Sequence, residues 1–235
     1  PGNGGQPGGN QPGTGDQPGG NTPVNPSGSP SITPTPVPPE TDATQGPWVL
    51  DRFQQEISLL EDRARLQVEE DTFTQETKLH VQEKQPKTPP ADQNLRLVGK
   101  AIEIRFASEP EKEVKADIAF DRTLLAGTDA RQLGLYRQND SDPSQWDYVG
   151  GLLNVRDGKV EAFLSGSGTY AVMACERTFT DTQNHWAKKE IEILASRHII
   201  HGNGHGAFEP DRLITRAEFA KLLVMMVKAG YNPDQ

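Results

Sequence analysis

Five short runs between residues 179 and 219 decide the fold of the last part of the chain: Phe179-Thr180-Asp181, His185-Trp186-Ala187, Ile199-Ile200-His201-Gly202, Phe208-Glu209-Pro210 and Ile214-Thr215-Arg216-Ala217-Glu218-Phe219. Within the last run, Thr215 and Glu218 have the spacing of a capping box, in which a Thr N-cap is followed by Glu three residues later. The apolar residues that follow recur at helical spacing. The pattern therefore predicts a helix over about 216–228.

An earlier helix, over about 184–197, is predicted by one apolar face made of Ala187, Ile191, Leu194 and Ala195. The two helices are separated by a stretch rich in turn residues, 202–206, in which three of five residues are glycine. The predicted unit is a helix, a glycine loop and a second helix. Such a unit of about 50 residues makes a poor core by itself, so we expect it to pack against sister repeats.

The order and spacing of these runs resemble a surface-layer homology repeat, one copy of which covers about 179–227. The resemblance implies noncovalent binding of a secondary cell-wall polysaccharide that carries ketal-linked pyruvate. It also implies a pseudo-threefold assembly of three repeats with ligand grooves between them. The positions that contact ligand in the family correspond here to Asp181, Trp186, Gly202 and Arg216. Two features depart from the family pattern: one repeat is visible, and His205 stands where Asp or Asn is commoner.

Arg216 is the residue with the clearest chemical argument. In the first turn of a helix a cation gains nothing from the helix dipole, which is positive there. A bound carboxylate would change this, because the guanidinium and the backbone N–H groups could hold it together. The alternative is an Arg that pairs with Asp181, Glu209 or Asp211. For Trp186 and Gly202 the corresponding alternatives are ordinary core packing and ordinary turn chemistry.

The first 47 residues have the composition of a disordered linker, with 11 Gly, 12 Pro and no Lys, Arg or aromatic residue. Such a segment cannot bury enough surface to offset its chain entropy. Residues 48–175 instead predict an all-β, antiparallel, sandwich-like domain. Alternation of apolar and polar residues marks nine strands, around 64–68, 77–81, 102–106, 114–120, 133–135, 146–148, 153–155, 160–164 and 169–173.

Two local features add to this β prediction. Asp157-Gly158 between two alternating runs is typical of a hairpin turn. Leu50, Phe53, Ile57 and Leu60 are spaced like one helical face, which predicts a short helix ahead of the sheet. The segment 133–173 also resembles the small β domains found before surface-layer repeats in large secreted proteins, which implies a stalk. The whole chain is therefore predicted to be multidomain: linker 1–47, β domain 48–175 and an all-α repeat over 176–235.

Other kinds of site are weakly supported by the sequence. Four histidines (His185, His198, His201 and His205) fall in the repeat, but no Cys or carboxylate stands at ligand spacing beside them. The Asp140–Asp147 segment lacks the ordered oxygen ligands of a calcium loop. Cys175 lies in no catalytic pattern, and no nucleophile elbow, phosphate loop or zinc-protease helix is present. We predict no catalytic residue, no metal and no cofactor.

The net charge of −9 argues against nonspecific binding of nucleic acid, and no apolar run is long enough to cross a membrane. We therefore predict a noncatalytic protein that anchors its cargo outside the cell, at the cell wall or S-layer of a Gram-positive type of cell. Two alternatives remain open. The chain could be the anchoring tail of a large secreted glycoside hydrolase, or part of a structural surface-layer protein that assembles into a lattice.

Overall fold

A computed structural model describes residues 44–228 of the chain. Most of the linker prediction lies outside these residues. Within the described range the structure has twelve β-strands, two α-helices and two short 3₁₀ helices. The strands are β1 (Thr44–Leu50), β2 (Gln55–Leu59), β3 (Ala64–Val68), β4 (Thr77–Lys84), β5 (Leu95–Leu97), β6 (Ala101–Phe106), β7 (Val114–Ala119), β8 (Leu133–Gln138), β9 (Trp146–Gly150), β10 (Leu152–Asn154), β11 (Lys159–Leu164) and β12 (Gly168–Cys175). The helices are α1 (Lys188–Ser196) and α2 (Arg216–Lys228), and the 3₁₀ helices are Arg122–Leu125 and Ala130–Gln132.

The strands form two antiparallel sheets, which confirms the sandwich-like prediction. The larger sheet has the order β1-β4-β6-β12-β8-β9, with β5 paired to β12. The smaller sheet has the order β10-β11-β7-β3-β2. All nine predicted strands are present. The Asp157-Gly158 hairpin is also confirmed, since it connects β10 to β11 and Gly158 has a φ of 69°.

Alternation of side chains explains how the two sheets share a core. On β7, Val114, Ala116 and Ile118 are buried while the residues between them are half-buried. They pack with Leu79 and Ile104 of the other sheet in one apolar cluster. The members of this cluster all lie between Leu50 and Ala174, so the sandwich core is complete before the repeat begins.

The central strand β12 is buried on both faces, and each face belongs to a different apolar cluster. Tyr170, Val172 and Ala174 belong to the sandwich core, whereas Ala171 and Met173 belong to a second cluster. The second cluster therefore lies on the outer face of the larger sheet. It includes Tyr136 and has Tyr148 packed against it, and both rings contact His198 at the end of α1.

Two details of the sequence prediction need correction. The short helix predicted from Leu50, Phe53, Ile57 and Leu60 is wrong. Ile57 lies on strand β2, where it pairs with Leu66 of β3, and the β2–β3 turn runs through left-handed residues 60–62. The prediction failed because the four apolar residues at helical spacing belong to two strands, a loop and a turn. In addition, β1 begins at Thr44, within the last four residues of the predicted linker.

The two helices lie close to their predicted positions. Helix α2 begins at Arg216, as predicted, and α1 begins at Lys188, four residues later than predicted, because 182–187 form turns. A third apolar cluster joins them, with Phe179, Ile191, Ala195, Ile199 and Ile200 at its centre and Phe208 and Leu222 against it. The boundary between sandwich and repeat at residue 175 stays a prediction.

Candidate functional site

The start of α2 is built as the capping box predicts. The backbone N–H and the hydroxyl of Thr215 both lie 2.8 Å from Oε2 of Glu218, and the Glu218 N–H donates to the Thr215 hydroxyl at 3.2 Å. Arg212 donates to Glu218 at 2.6 Å and lies 3.3 Å from Glu209. The Arg212 guanidinium and the Thr215 N–H hold the pKa of Glu218 down at about 2. Glu209 and Glu218 are therefore already paired with Arg212.

This arrangement leaves the Arg216 side chain exposed in the first turn of α2. Within residues 44–228 it has no hydrogen bond or ion pair to a protein group, so the alternative pairing with Asp181, Glu209 or Asp211 is not seen. The exposed guanidinium belongs to the first residue of α2, at the helix end that favours negative charge. Its five donors are available to an anion from solvent.

Asp181 has a structural task that the sequence did not indicate. Its two carboxylate oxygens accept the backbone N–H groups of Phe208 at 2.9 Å and Glu209 at 2.7 Å. The hydrogen bond from Phe208, together with that from Glu209, lowers the pKa of Asp181. The Asp181 carboxylate therefore ties the segment that follows the glycine loop to the residues that precede α1. Phe208 and Glu209 lie 27 and 28 residues after Asp181 in the sequence.

Gly202 lies at the other end of the same loop, in a place with no room for a side chain. A Cβ built there would be 2.6 Å from the carbonyl oxygen of Ala207 and 2.6 Å from the Phe179 ring. Glycine is needed here because backbone and ring approach closely. Asp181 and Gly202 thus both shape the 202–209 loop.

The Trp186 side chain lies on the surface. It is 89% exposed, so it is not packed in a core within residues 44–228. The indole lies 5.5 Å from the His185 ring, and His185 Nε2 lies 3.6 Å from the Asp211 carboxylate. The indole face is therefore free, in the described structure, to stack on a flat or apolar surface.

The structure does not gather the four predicted residues into one pocket. A separate groove of about 390 Å³ lies between the glycine loop and α2. Its polar lining includes His201, Arg212 and Lys221, and its apolar lining includes Phe208 and Leu222. Sequence reasoning named His201 only as a weak metal-ligand candidate and missed Arg212 and Lys221 as lining of a groove. The spacing of Glu218, Lys221 and Leu222, which places them on one face of α2, could have indicated this groove.

Other candidate sites have ordinary structural roles. Cys175 is fully buried, and burial raises the pKa of its thiol. In the acidic loop, Asp140 pairs with Arg137, and Asp142 accepts the Ser144 hydroxyl. Among residues 44–228, no group of three or more His, Cys, Asp or Glu side chains could hold a metal ion. In the same range, no helix is long and apolar enough to cross a membrane.

Comparison with known proteins identifies the helical unit. Residues 178–220 match the family model of the S-layer homology domain. The chain carries an S-layer homology repeat. This confirms the resemblance drawn from the residues between Phe179 and Phe219, and such a domain is a noncatalytic anchoring unit.

Several proteins contain regions similar to this chain. An amylopullulanase from Thermoanaerobacterium thermosulfurigenes is 35% identical over 104 residues, which are 44% of this chain and 6% of that protein. Exoglucanase XynX from Acetivibrio thermocellus is 30% identical over 121 residues, 50% of this chain and 10% of that protein. The S-layer protein sap from Bacillus anthracis is 33% identical over 64 residues, 27% of this chain and 8% of that protein.

The chain spans a tenth or less of the length of these relatives. Each of the three matches is longer than the 58 residues that follow Arg177, so each takes in residues ahead of the repeat. The S-layer homology repeat and these relatives place the chain outside the cell, at the cell surface, with a role in anchoring.

Proposed function

We propose that this chain anchors its protein by noncovalent binding of a secondary cell-wall polysaccharide, and that the ligand group is a pyruvate ketal carboxylate. Arg216 is the main contact to the carboxylate. Trp186 supplies a face for the sugar, while Asp181 and Gly202 hold the loop that shapes the groove. No cofactor or metal takes part.

The observation that carries this proposal is the state of Arg216. Nearby Arg212 is used twice, by Glu209 and Glu218, whereas Arg216 keeps its guanidinium exposed beside the N-terminus of a helix of 13 residues. The helix N-terminus favours negative charge and disfavours the cation that stands there. A carboxylate bound between them removes the mismatch and gains charge-assisted hydrogen bonds.

The surface of α2 supports the second part of the proposal, that sister repeats complete the site. Several large apolar side chains on or just before α2 are about half or more exposed: Leu213, Ile214, Phe219, Leu223, Val224 and Val227. Phe219, Leu223 and Val227 recur every four residues and so lie on one face of α2, and an exposed apolar face of this kind marks an interaction site. Sister surface-layer repeats would cover it and form the far wall of a groove around Arg216.

The relatives suggest two kinds of cargo. Three are enzymes named for polysaccharide breakdown: the amylopullulanase, exoglucanase XynX and an endo-1,4-β-xylanase from Thermoanaerobacterium saccharolyticum. On this basis the first candidate is the anchoring tail of a secreted glycoside hydrolase. The similarity to S-layer protein sap favours a lattice-forming surface protein as the second candidate.

Binding to purified cell-wall sacculi tests the proposal. The protein, with any further repeats its gene encodes, is sedimented with sacculi before and after acid extraction of the secondary polymer. We expect co-sedimentation with intact sacculi and its loss after extraction. Equal binding to extracted sacculi would overturn the proposal, because the peptidoglycan that remains would then be the ligand.

A further inference from the structure

The end of α1 contains a histidine where a helix normally has glycine. The N–H of His198 donates to the carbonyl of Ala195 at 3.1 Å, and the N–H of Ile199 donates to that of Leu194 at 3.0 Å. These two bonds make a Schellman motif, whose C′ residue adopts the left-handed conformation and is usually Gly. Here His198 has a φ of 56°. A side chain kept in this strained position needs contacts that hold it there.

The contacts come from the sandwich. Nε2 of His198 lies 3.2 Å from the Tyr136 hydroxyl, and its ring lies 4.8 Å from the Tyr148 ring. The neighbouring Arg197 is only 8% exposed and donates to the backbone carbonyls of Arg131 and Gly151, each at 3.2 Å. The end of α1 is thus inserted against the outer face of the larger sheet.

The surroundings of His198 suit a neutral imidazole and oppose a charged one. Burial, with the Arg177 guanidinium second and His201 third, lowers the pKa of His198 to about 4, and Asp92 acts weakly in the other direction. Arg177 donates to Asp92 at 2.9 Å, so that carboxylate is already engaged. The titratable and charged groups facing this site are Tyr136 of β8, Tyr148 of β9, Cys175 at the end of β12, Arg177, Asp92, Arg197 and His201.

We propose that the β sandwich and the S-layer repeat form one rigid anchoring unit, that His198 is the clasp between them, and that a proton on its imidazole opens the joint. The sandwich is then a platform that fixes the direction of the wall-binding repeat. The proposal rests on the joint and does not depend on the ligand of the repeat.

The direction of the pH dependence follows from the two states of the imidazole. When the joint is open, His198 meets water and its pKa returns to about 6.5. The docked state is therefore fully favoured above pH 6.5, and it loses its advantage as the pH falls from 6.5 towards 4. Between these limits the equilibrium shifts towards the open joint by on the order of a hundredfold, because docking lowers the pKa of His198.

The test measures how the two parts of the full chain tumble, by ¹⁵N relaxation of assigned amides. At pH 7.5 we expect one rotational correlation time for the sandwich and the repeat. At pH 4 we expect a shorter time for the repeat than for the sandwich. A single shared time at pH 4, with both parts folded, would overturn the proposal.

Two variants make the test specific. His198→Gly removes the imidazole and relieves the left-handed strain, so the repeat should stay folded while the two parts tumble separately at pH 7.5 and pH 4 alike. His205→Ala, at an exposed loop histidine away from this joint, is the matched control and should behave as the parent at both pH values. If His198→Gly still tumbles as one body at pH 7.5, or if His205→Ala removes the pH response, His198 is not the clasp. The His198→Gly measurement at pH 7.5 decides the question even if acid unfolds the parent.

Discussion

The guanidinium of Arg197, directly after α1, donates to the backbone carbonyl of Gly151 in the sandwich at 3.2 Å. Gly151 has a φ of 133°, and a Cβ there would be 2.4 Å from a methyl group of Val160. The glycine thus lets the turn between β9 and β10 present its carbonyl oxygen to the repeat. A repeat defined by its own sequence pattern is in this way joined to the preceding domain by a buried charged side chain.

Removing that side chain should weaken the chain measurably. We expect Arg197→Ala to lower the free energy of unfolding by about 1–3 kcal/mol, because the hydrogen bonds from the buried guanidinium to the carbonyls of Arg131 and Gly151 are lost. Arg197→Lys should recover only part of this, since an ammonium group cannot reproduce the guanidinium fork. Urea unfolding provides the measurement, with the exposed Arg156→Ala as control. Equal midpoints for Arg197→Ala and the control would show that the joint adds no stability.

The capping box gives a second prediction, confined to the repeat. Thr215→Ala removes the hydroxyl that accepts the Glu218 N–H, and N-cap losses of this kind cost about 0.5–2 kcal/mol. Thr178→Ala is the matched control, because this exposed Thr has no hydroxyl hydrogen bond in the described structure. Helicity at 222 nm, followed during thermal unfolding, should show a lower midpoint for Thr215→Ala alone.

Asp181 should make the repeat sensitive to acid. Its pKa is lowered in the folded protein by the N–H of Phe208 first and by that of Glu209. The stability it contributes is therefore present above its ordinary pKa of 3.8 and is lost as the pH falls through the lowered value. We expect Asp181→Ala to lower the melting temperature of the repeat at pH 7 and to flatten its dependence on pH below 4. An unchanged acid profile in Asp181→Ala would assign the acid response to other groups.

Gly202 tests the shape of the loop. In Gly202→Ala the new methyl group meets the Ala207 carbonyl and the Phe179 ring, so we expect a loss of about 1–3 kcal/mol in unfolding free energy. Gly204→Asn is the control, since no atom lies within 4 Å of a Cβ there and Asn tolerates its left-handed φ of 84°. Calorimetric unfolding of both variants would compare them directly. Similar stability for the two would mean that the loop adjusts around a side chain at residue 202.

Much of the fold could be predicted from the sequence because the strands and α2 follow local patterns. Strand β7 alternates buried and half-buried residues, and Thr215 with Glu218 marks the start of α2. The strands that were missed, β1, β2 and β5, are short or lie at an edge, where alternation is weak. Ile57 shares a helical spacing with Leu50, Phe53 and Leu60, which led to the wrong prediction of a helix where the structure has strand β2.

The candidate site was less predictable because its geometry depends on distant partners. Asp181 is used by backbone groups 27 and 28 residues away, and no local pattern indicates this. In the sequence, His198 was one of four histidines of the repeat, considered only as a weak metal-ligand candidate. Its role became visible only when Tyr136, 62 residues earlier, was placed beside it.

The most direct test of the central claim is the affinity of Arg216 variants for pyruvylated cell-wall polymer, measured in the protein with any further repeats its gene encodes. We expect Arg216→Ala to weaken binding roughly ten- to a hundredfold, because a charge-assisted hydrogen bond to a carboxylate contributes about 1.5–3 kcal/mol. Arg216→Lys should retain part of the affinity, and Arg156→Ala, which removes an equal charge from the sandwich, should retain all of it. If Arg216→Ala keeps its helicity and binds the polymer as tightly as the parent, Arg216 is not the anion contact and the proposed site is wrong.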